Sequence, residues 1–172
     1  LYSQGDDVFV GWYLSATALG FYQYAYRLAD LPAAEVSGII SKVTFPAYSR
    51  IQSDMDALRD ALLQSTRLTA FVAFPLTFGI ALVAPSFVPA ILGEQWTPMI
   101  RTMQLLSMYG LLHAITRNFG SLWKALNHPD YIAKLGFLRV ICIAILIWPA
   151  TARWGIEGTA MVVVGVYIFP ML

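Results

Sequence analysis

Arg27 and Asp30 stand three residues apart in a predominantly apolar tract, Gly20 to Pro46, GFYQYAYRLADLPAAEVSGIISKVTFP. On a helix they are near neighbours, a guanidinium and a carboxylate that can pair or meet one ligand. Arginine stays protonated and offers a fork of donors that matches phosphate oxygens. Steps of three and four from Gln23 give Gln23, Arg27, Asp30, Ala34, Ser37, Ser41 and Thr44, all polar or small. The opposite side holds Phe21, Ala25, Leu28, Val36, Ile39 and Val43. A helix surrounded by lipid has no use for a polar stripe unless the stripe faces protein or water, so the pattern predicts the wall of a transport cavity.

A second polar series lies in Met99 to Leu126, where Gly110, His113, Arg117, Ser121 and Lys124 recur at three and four. His113 and Arg117 are either a buried pair satisfied by carbonyls or a second cationic wall, while Lys124 is near enough to the end to snorkel toward headgroups. Asp6 and Asp7 are either a cation or proton site near the membrane or a solvated helix end. Asp7 and Asp30 are the candidates for a coupling ion. Cys142 is the single cysteine, so neither an internal disulfide nor a thiolate metal site is expected. With no metal-ligand cluster, nucleotide-binding loop or nucleophile–histidine arrangement, no metal, cofactor or enzymatic activity is expected.

These residues sit in a chain of 172 residues that is 58% hydrophobic and only 12% charged, with mean hydropathy +0.63. A soluble domain carries about 25% charged residues, so the composition is that of a membrane protein. The net charge of +1 gives no field for nucleic acid. The chain opens at Leu1 and closes inside the apolar run Met161 to Leu172, and is expected to be an internal piece of a longer membrane protein.

The expected fold class is all-α, a polytopic transmembrane bundle forming one incomplete domain over 1–172. Helices are expected near 1–14 (the end of a span), 17–46, 54–92 (a surface helix then a span), 97–126, 130–149 and 155–172. Ser15 to Gly20 is expected to be a turn. Pro32 either makes a bending point beside the charges or a simple packing bend. Ser53, with Asp56 three residues on, predicts a helix N-cap. Trp96 in GEQWTP suits the membrane interface, and Gly155, Gly158 and Ala160 permit close helix contact. The connections around Arg50 to Arg67 and Lys124 to Arg139 hold six Lys or Arg, against two around Gly93 to Arg101 and Pro149 to Gly155. The positive-inside rule therefore places the first pair in the cytoplasm and Arg27 and Asp30 in the outer half of the membrane.

YAYRLADLP at Tyr24 to Pro32, with GFY before it and FPAYSRIQ at Phe45 to Gln52, resembles the polysaccharide-exporter branch of the multidrug/oligosaccharidyl-lipid/polysaccharide flippase superfamily. GEQW at Gly93 to Trp96 and GIEGTA at Gly155 to Ala160 are similar to that family in order and spacing. The resemblance implies a bundle of 12–14 helices in two lobes, with this chain as the start of the second lobe. It implies a monomeric transporter of the inner (cytoplasmic) membrane, multi-pass and completed by further helices of its own chain. Such a protein would flip a polyprenyl-diphosphate-linked oligosaccharide by alternating access for surface polysaccharide synthesis. In the related lipid II flippases the tract Y-A-x-R-L-x-E-x-P supplies a cavity arginine and acid; the matching positions are Arg27 and Asp30, with Asp in place of Glu. The implied partners are the lipid-linked oligosaccharide and membrane lipids, not nucleic acid. Rival readings are a lipid II flippase, a drug/cation antiporter of the same superfamily, a membrane-embedded glycosyltransferase or polymerase, and a structural subunit of an export complex. An antiporter for cations would present acids rather than arginines, and a polymerase needs a long external loop that is not found here.

Overall fold

The computed structural model describes residues 5–168; the predicted helix ends at 1–4 and 169–172 lie outside that range. The described residues form helices α1 (Gly5–Tyr13), α2 (Ala16–Arg50), α3 (Met55–Phe87), α4 (Ile100–Ala125) and α5 (Pro129–Ile168), with no strand among them. A π-helical turn (Val88–Leu92) and a 3-10 turn (Glu94–Met99) join α3 to α4. The expected loop at GEQWTP is thus mostly helical, and Gly93 between the two turns takes φ 97°, a conformation that favours glycine.

Helix starts differ from expectation where side chains cap the backbone. Ser15 is the N-cap of α2 and accepts from the Ala18 amide at 3.0 Å, so the helix begins at Ala16 rather than after a turn reaching Gly20. Asp54, not Ser53, caps α3; its carboxylate accepts from the amides of Asp56 and Ala57 at 3.1 and 3.0 Å. A carboxylate there also meets the positive end of the helix dipole. α2 stays helical through Pro32 and Pro46 to Arg50. Its 35 residues reach roughly 52 Å at 1.5 Å per residue, longer than a hydrocarbon layer of about 30 Å.

α5 consists of two helical arms joined at a kink. Gly155 adopts φ 58°, ψ −137°, outside the helical region. Thr151 and Thr159, eight positions apart, bring their hydroxyls to 2.9 Å, and the Arg139 guanidinium lies 4.0 Å from the centroid of the Tyr167 ring. A straight helix would separate Arg139 from Tyr167 by roughly 42 Å, so the arm 156–168 folds back along the arm 129–154.

Two stretches, Met55–Leu92 and Pro129–Ile168, are long and apolar enough to cross a membrane, with mean hydropathy 2.0 in their best windows. Only 22% and 11% of those windows is buried against other protein. Phe71, Leu82 and Ile145 stand exposed at 79%, 78% and 67%. Apolar surface of this extent needs a lipid solvent. The chain is a helical membrane protein.

The main core joins α1, α2, α4, the end of α3 and the returning arm of α5 around Val10, Tyr22, Ala29, Val88, Leu106 and Val163. Trp96 packs against Phe21 and Tyr24 with ring centroids 5.5 and 4.7 Å apart, tying the α3–α4 connection to the start of α2. At the other end Tyr48, Leu58 and Ala125 form a separate cluster, and the Tyr48 hydroxyl meets Ser65 Oγ at 2.5 Å.

A candidate ligand cleft walled by α2, α4 and α5

The site begins with small residues. Ala25, Ala29 and Ala33 of α2 are buried, as is Gly110 of α4. A Cβ on Gly110 would lie 3.0 Å from the Ala29 carbonyl oxygen, so the two backbones touch. That close approach sets a register of facing pairs, each one helical turn beyond the last. The Tyr26 hydroxyl donates to the Tyr109 hydroxyl at 2.5 Å; His113 Nδ1 lies 3.0 Å from Asp30 Oδ1; Arg117 Nη1 donates to the Ala34 carbonyl at 3.3 Å. Both members of each pair advance by four residues, so α2 and α4 run parallel. On its other flank α4 is held to α3 by buried Asn118, whose Nδ2 donates to Thr69 Oγ1 at 2.8 Å.

α5 closes a third side. Tyr167 on the returning arm meets Tyr109 edge-on at 4.7 Å and carries the Arg139 guanidinium on its face. Between these walls lies a cleft of about 680 Å³. Asp6, Asp30, His113, Lys124 and Arg139 line it, with the tyrosines Tyr26, Tyr109 and Tyr167. Asp6 accepts from the Tyr22 hydroxyl at 2.7 Å in a buried contact. Asp30–His113 is the one acid–base side-chain contact within 4.0 Å among the described residues, with side chains 16% and 27% exposed. Among the described residues no group of three or more His, Cys, Asp or Glu is placed to hold a metal.

Residues 1–101 of the chain match a family model described as "Polysaccharide biosynthesis protein". The chain belongs to that family. Among relatives of this chain, the lipopolysaccharide biosynthesis protein WzxC of Escherichia coli (strain K12) is 33% identical over 126 residues, covering 73% of this chain and 26% of WzxC. The teichuronic acid biosynthesis protein TuaB of Bacillus subtilis (strain 168) is 29% identical over 125 residues, 73% of this chain and 26% of TuaB. The probable low-salt glycan biosynthesis flippase Agl15 of Haloferax volcanii is 22% identical over 162 residues, 93% of this chain and 34% of Agl15. The chain spans about a quarter to a third of the length of these relatives. No solved structure matches it.

The residues singled out by sequence separate in the structure. Asp30 and His113 come together in the cleft. Gln23 and Arg27 are exposed on α2, outside the cleft. Arg117 is tied to the Ala34 carbonyl, and Asp7 is half-buried but does not line the cleft. The expected holding of Arg27 by Asp30 is not observed: the carboxylate pairs with His113 across the helix interface. The stripe from Gln23 to Thr44 runs along a shoulder of α2, turning Asp30 and Ser37 inward and Arg27 outward, while Ala25 on the supposed lipid side is buried. Arg139 and the three tyrosines were missed. By sequence Arg139 groups with the charges around the Asn127–Asp130 turn, whereas it lies ten residues into α5. Its spacing to Tyr167 carries meaning only once the chain folds back at Gly155.

Proposed function

We propose that the whole protein is a flippase of the cytoplasmic membrane, multi-pass, which moves a polyprenyl-diphosphate-linked oligosaccharide across it for surface polysaccharide synthesis. Membership of the polysaccharide biosynthesis family supports this, as do relatives whose names include a glycan biosynthesis flippase. The observation that carries the mechanism is Arg27. It is exposed on α2, which we read as a further membrane helix, and makes no salt bridge or hydrogen bond within the described bundle. A charge left facing hydrocarbon costs several kcal/mol, so this face of α2 must turn to water, other protein or an anionic cargo. Arg27 would meet the diphosphate, Gln23 would reach the sugars, and the lipid tail would stay in the bilayer. Arg117 would support this wall more weakly, since its guanidinium already serves the Ala34 carbonyl.

Asp30 would take part in coupling, exchanging His113 for a cation. In the cleft its acidic companion is Asp6 rather than Asp7. The test is export by the full-length protein in cells lacking their own copy, read as surface polysaccharide and as lipid-linked oligosaccharide left on the inner leaflet. Arg27→Ala is expected to abolish export and Arg27→Lys to reduce it, since lysine lacks the fork. Full export by Arg27→Ala removes Arg27 from the mechanism.

A further inference from the structure

We propose that the groove between the two arms of α5 seats an anionic phospholipid, with one acyl chain along the groove and the headgroup phosphate on Arg153. This groove shares no lining residue with the cleft among α2, α4 and α5. The proposal stands on the chain being a membrane protein and not on what the whole protein moves.

The fold-back at Gly155 creates the groove. Near the reversal the arms touch, with Gly158 packed against the Ala150 carbonyl. Farther along the returning arm the space opens: nothing lies within 4 Å of where a Cβ on Gly165 would stand. The groove has a volume of about 630 Å³. It runs from Arg153 and Trp154 beside the reversal to Cys142 on one arm and Val166 on the other. Arg153 is the single charged residue of its lining; the rest are apolar. Leu146 and Met161, one from each arm, are exposed along it.

Depth decides the occupant. The arm from Pro129 to Trp154 rises roughly 39 Å, more than a hydrocarbon layer of about 30 Å. With Pro129 at one interface, the reversal therefore stands at the other. Trp154 is 56% exposed there, as suits an indole at headgroup level. From Arg153 to Cys142 the groove descends roughly 16 Å, about half the hydrocarbon layer and so the depth of one leaflet. A further spanning helix needs a seat across the whole layer, whereas one acyl chain needs only its own leaflet. The mouth supplies the charge. Arg153 is exposed and makes no salt bridge or hydrogen bond among the described residues, and Glu157 across the reversal does not pair with it. A guanidinium at that level offers its fork to a phosphate, and a basic residue at the membrane surface favours anionic lipid.

The test is native mass spectrometry of the full-length protein in detergent, titrated with phosphatidylglycerol or with phosphatidylcholine of the same chains. Phosphatidylglycerol is expected to bind at lower concentration. Arg153→Gln should weaken its first binding step about fivefold, the share of one basic residue beside anionic lipid, and should change phosphatidylcholine less. Gly165→Leu fills the open part of the groove and should weaken both lipids. Arg101→Gln, an exposed cation outside the groove, should bind as wild type. Unchanged phosphatidylglycerol binding in Arg153→Gln or in Gly165→Leu overturns the proposal. So does a Gly165→Leu protein that unfolds at lower temperature in lipid-free detergent, which would put a further helix of the chain in the groove. A wild-type dimer that Gly165→Leu dissociates would put a second copy there and overturns it equally. Lipid binding is measured without transport, so failure here and failure of export are separate results.

Discussion

Gly158→Ala tests the fold-back of α5, on which the third wall of the cleft depends. An added Cβ would sit 2.2 Å from the Ala150 carbonyl oxygen and 2.6 Å from its carbon, where contacts under 3.0 Å are essentially never made. Both opposing atoms are backbone, so no rotamer change relieves the clash. The arms must part by about 0.8 Å, and overpacking of this kind costs about 1–3 kcal/mol. The same opening stretches the buried Thr151–Thr159 contact from 2.9 Å beyond hydrogen-bond range, adding about 1 kcal/mol. The expected loss is therefore about 2–4 kcal/mol. Thermal unfolding of the purified full-length protein in detergent measures it, with Thr151→Val/Thr159→Val reporting the hydroxyl share alone. Gly165→Ala on the same arm is the control, because nothing lies within 4 Å of its Cβ position, and helix propensity there favours alanine by up to about 1 kcal/mol. If Gly158→Ala unfolds with wild type while Gly165→Ala behaves as expected, the fold-back geometry is wrong.

Two further substitutions probe the elements that position the cleft. Gly110→Val should cost about 1–3 kcal/mol by driving α4 away from the Ala29 carbonyl. It should also separate Tyr26 from Tyr109, and the loss is read as lower thermal stability of the full-length protein. Asp54→Ala should cost about 1 kcal/mol through the lost cap of α3 and leave export unchanged, whereas Ser53→Ala should cost nothing measurable in the same unfolding assay.

Composition and periodicity were enough to place this chain in a membrane and to mark α2 and α4 as polar-faced. The lipid-exposed sides of α3 and α5 follow from the same apolar runs that place it there. The pairing of those faces was not legible. Asp30 and His113 are 83 positions apart, and only the contact of Gly110 with Ala29 fixes the register that joins them. GIEGTA shows what a motif conceals: Gly155 makes the reversal and Gly158 accepts a carbonyl against its Cα. Thr159 meets Thr151, and Ala160 is fully buried. Its small residues permit close contact, but the partner is the chain's own preceding arm. Ser53 and Asp54 are both good caps, and sequence alone does not choose between adjacent cap residues whose helix could start one position apart.

A stripe drawn in steps of three and four marks a direction on a helix without distinguishing its centre from its edges. Arg27 and Asp30 differ by about 60° around the axis of α2, enough to put one outside the bundle and the other in the cleft. The two charges then belong to different environments, and energetic coupling should reveal the division. In a double-mutant cycle on thermal stability, Asp30→Ala and His113→Ala share one hydrogen-bonded pair and should be non-additive by about 0.5–3 kcal/mol. Arg27→Ala with Asp30→Ala should add to within about 0.5 kcal/mol, the limit for residues without a shared partner. Strong coupling between Arg27 and Asp30, with none between Asp30 and His113, would restore the intrahelical pair that the sequence suggested and displace the α2–α4 contact from the description of the cleft.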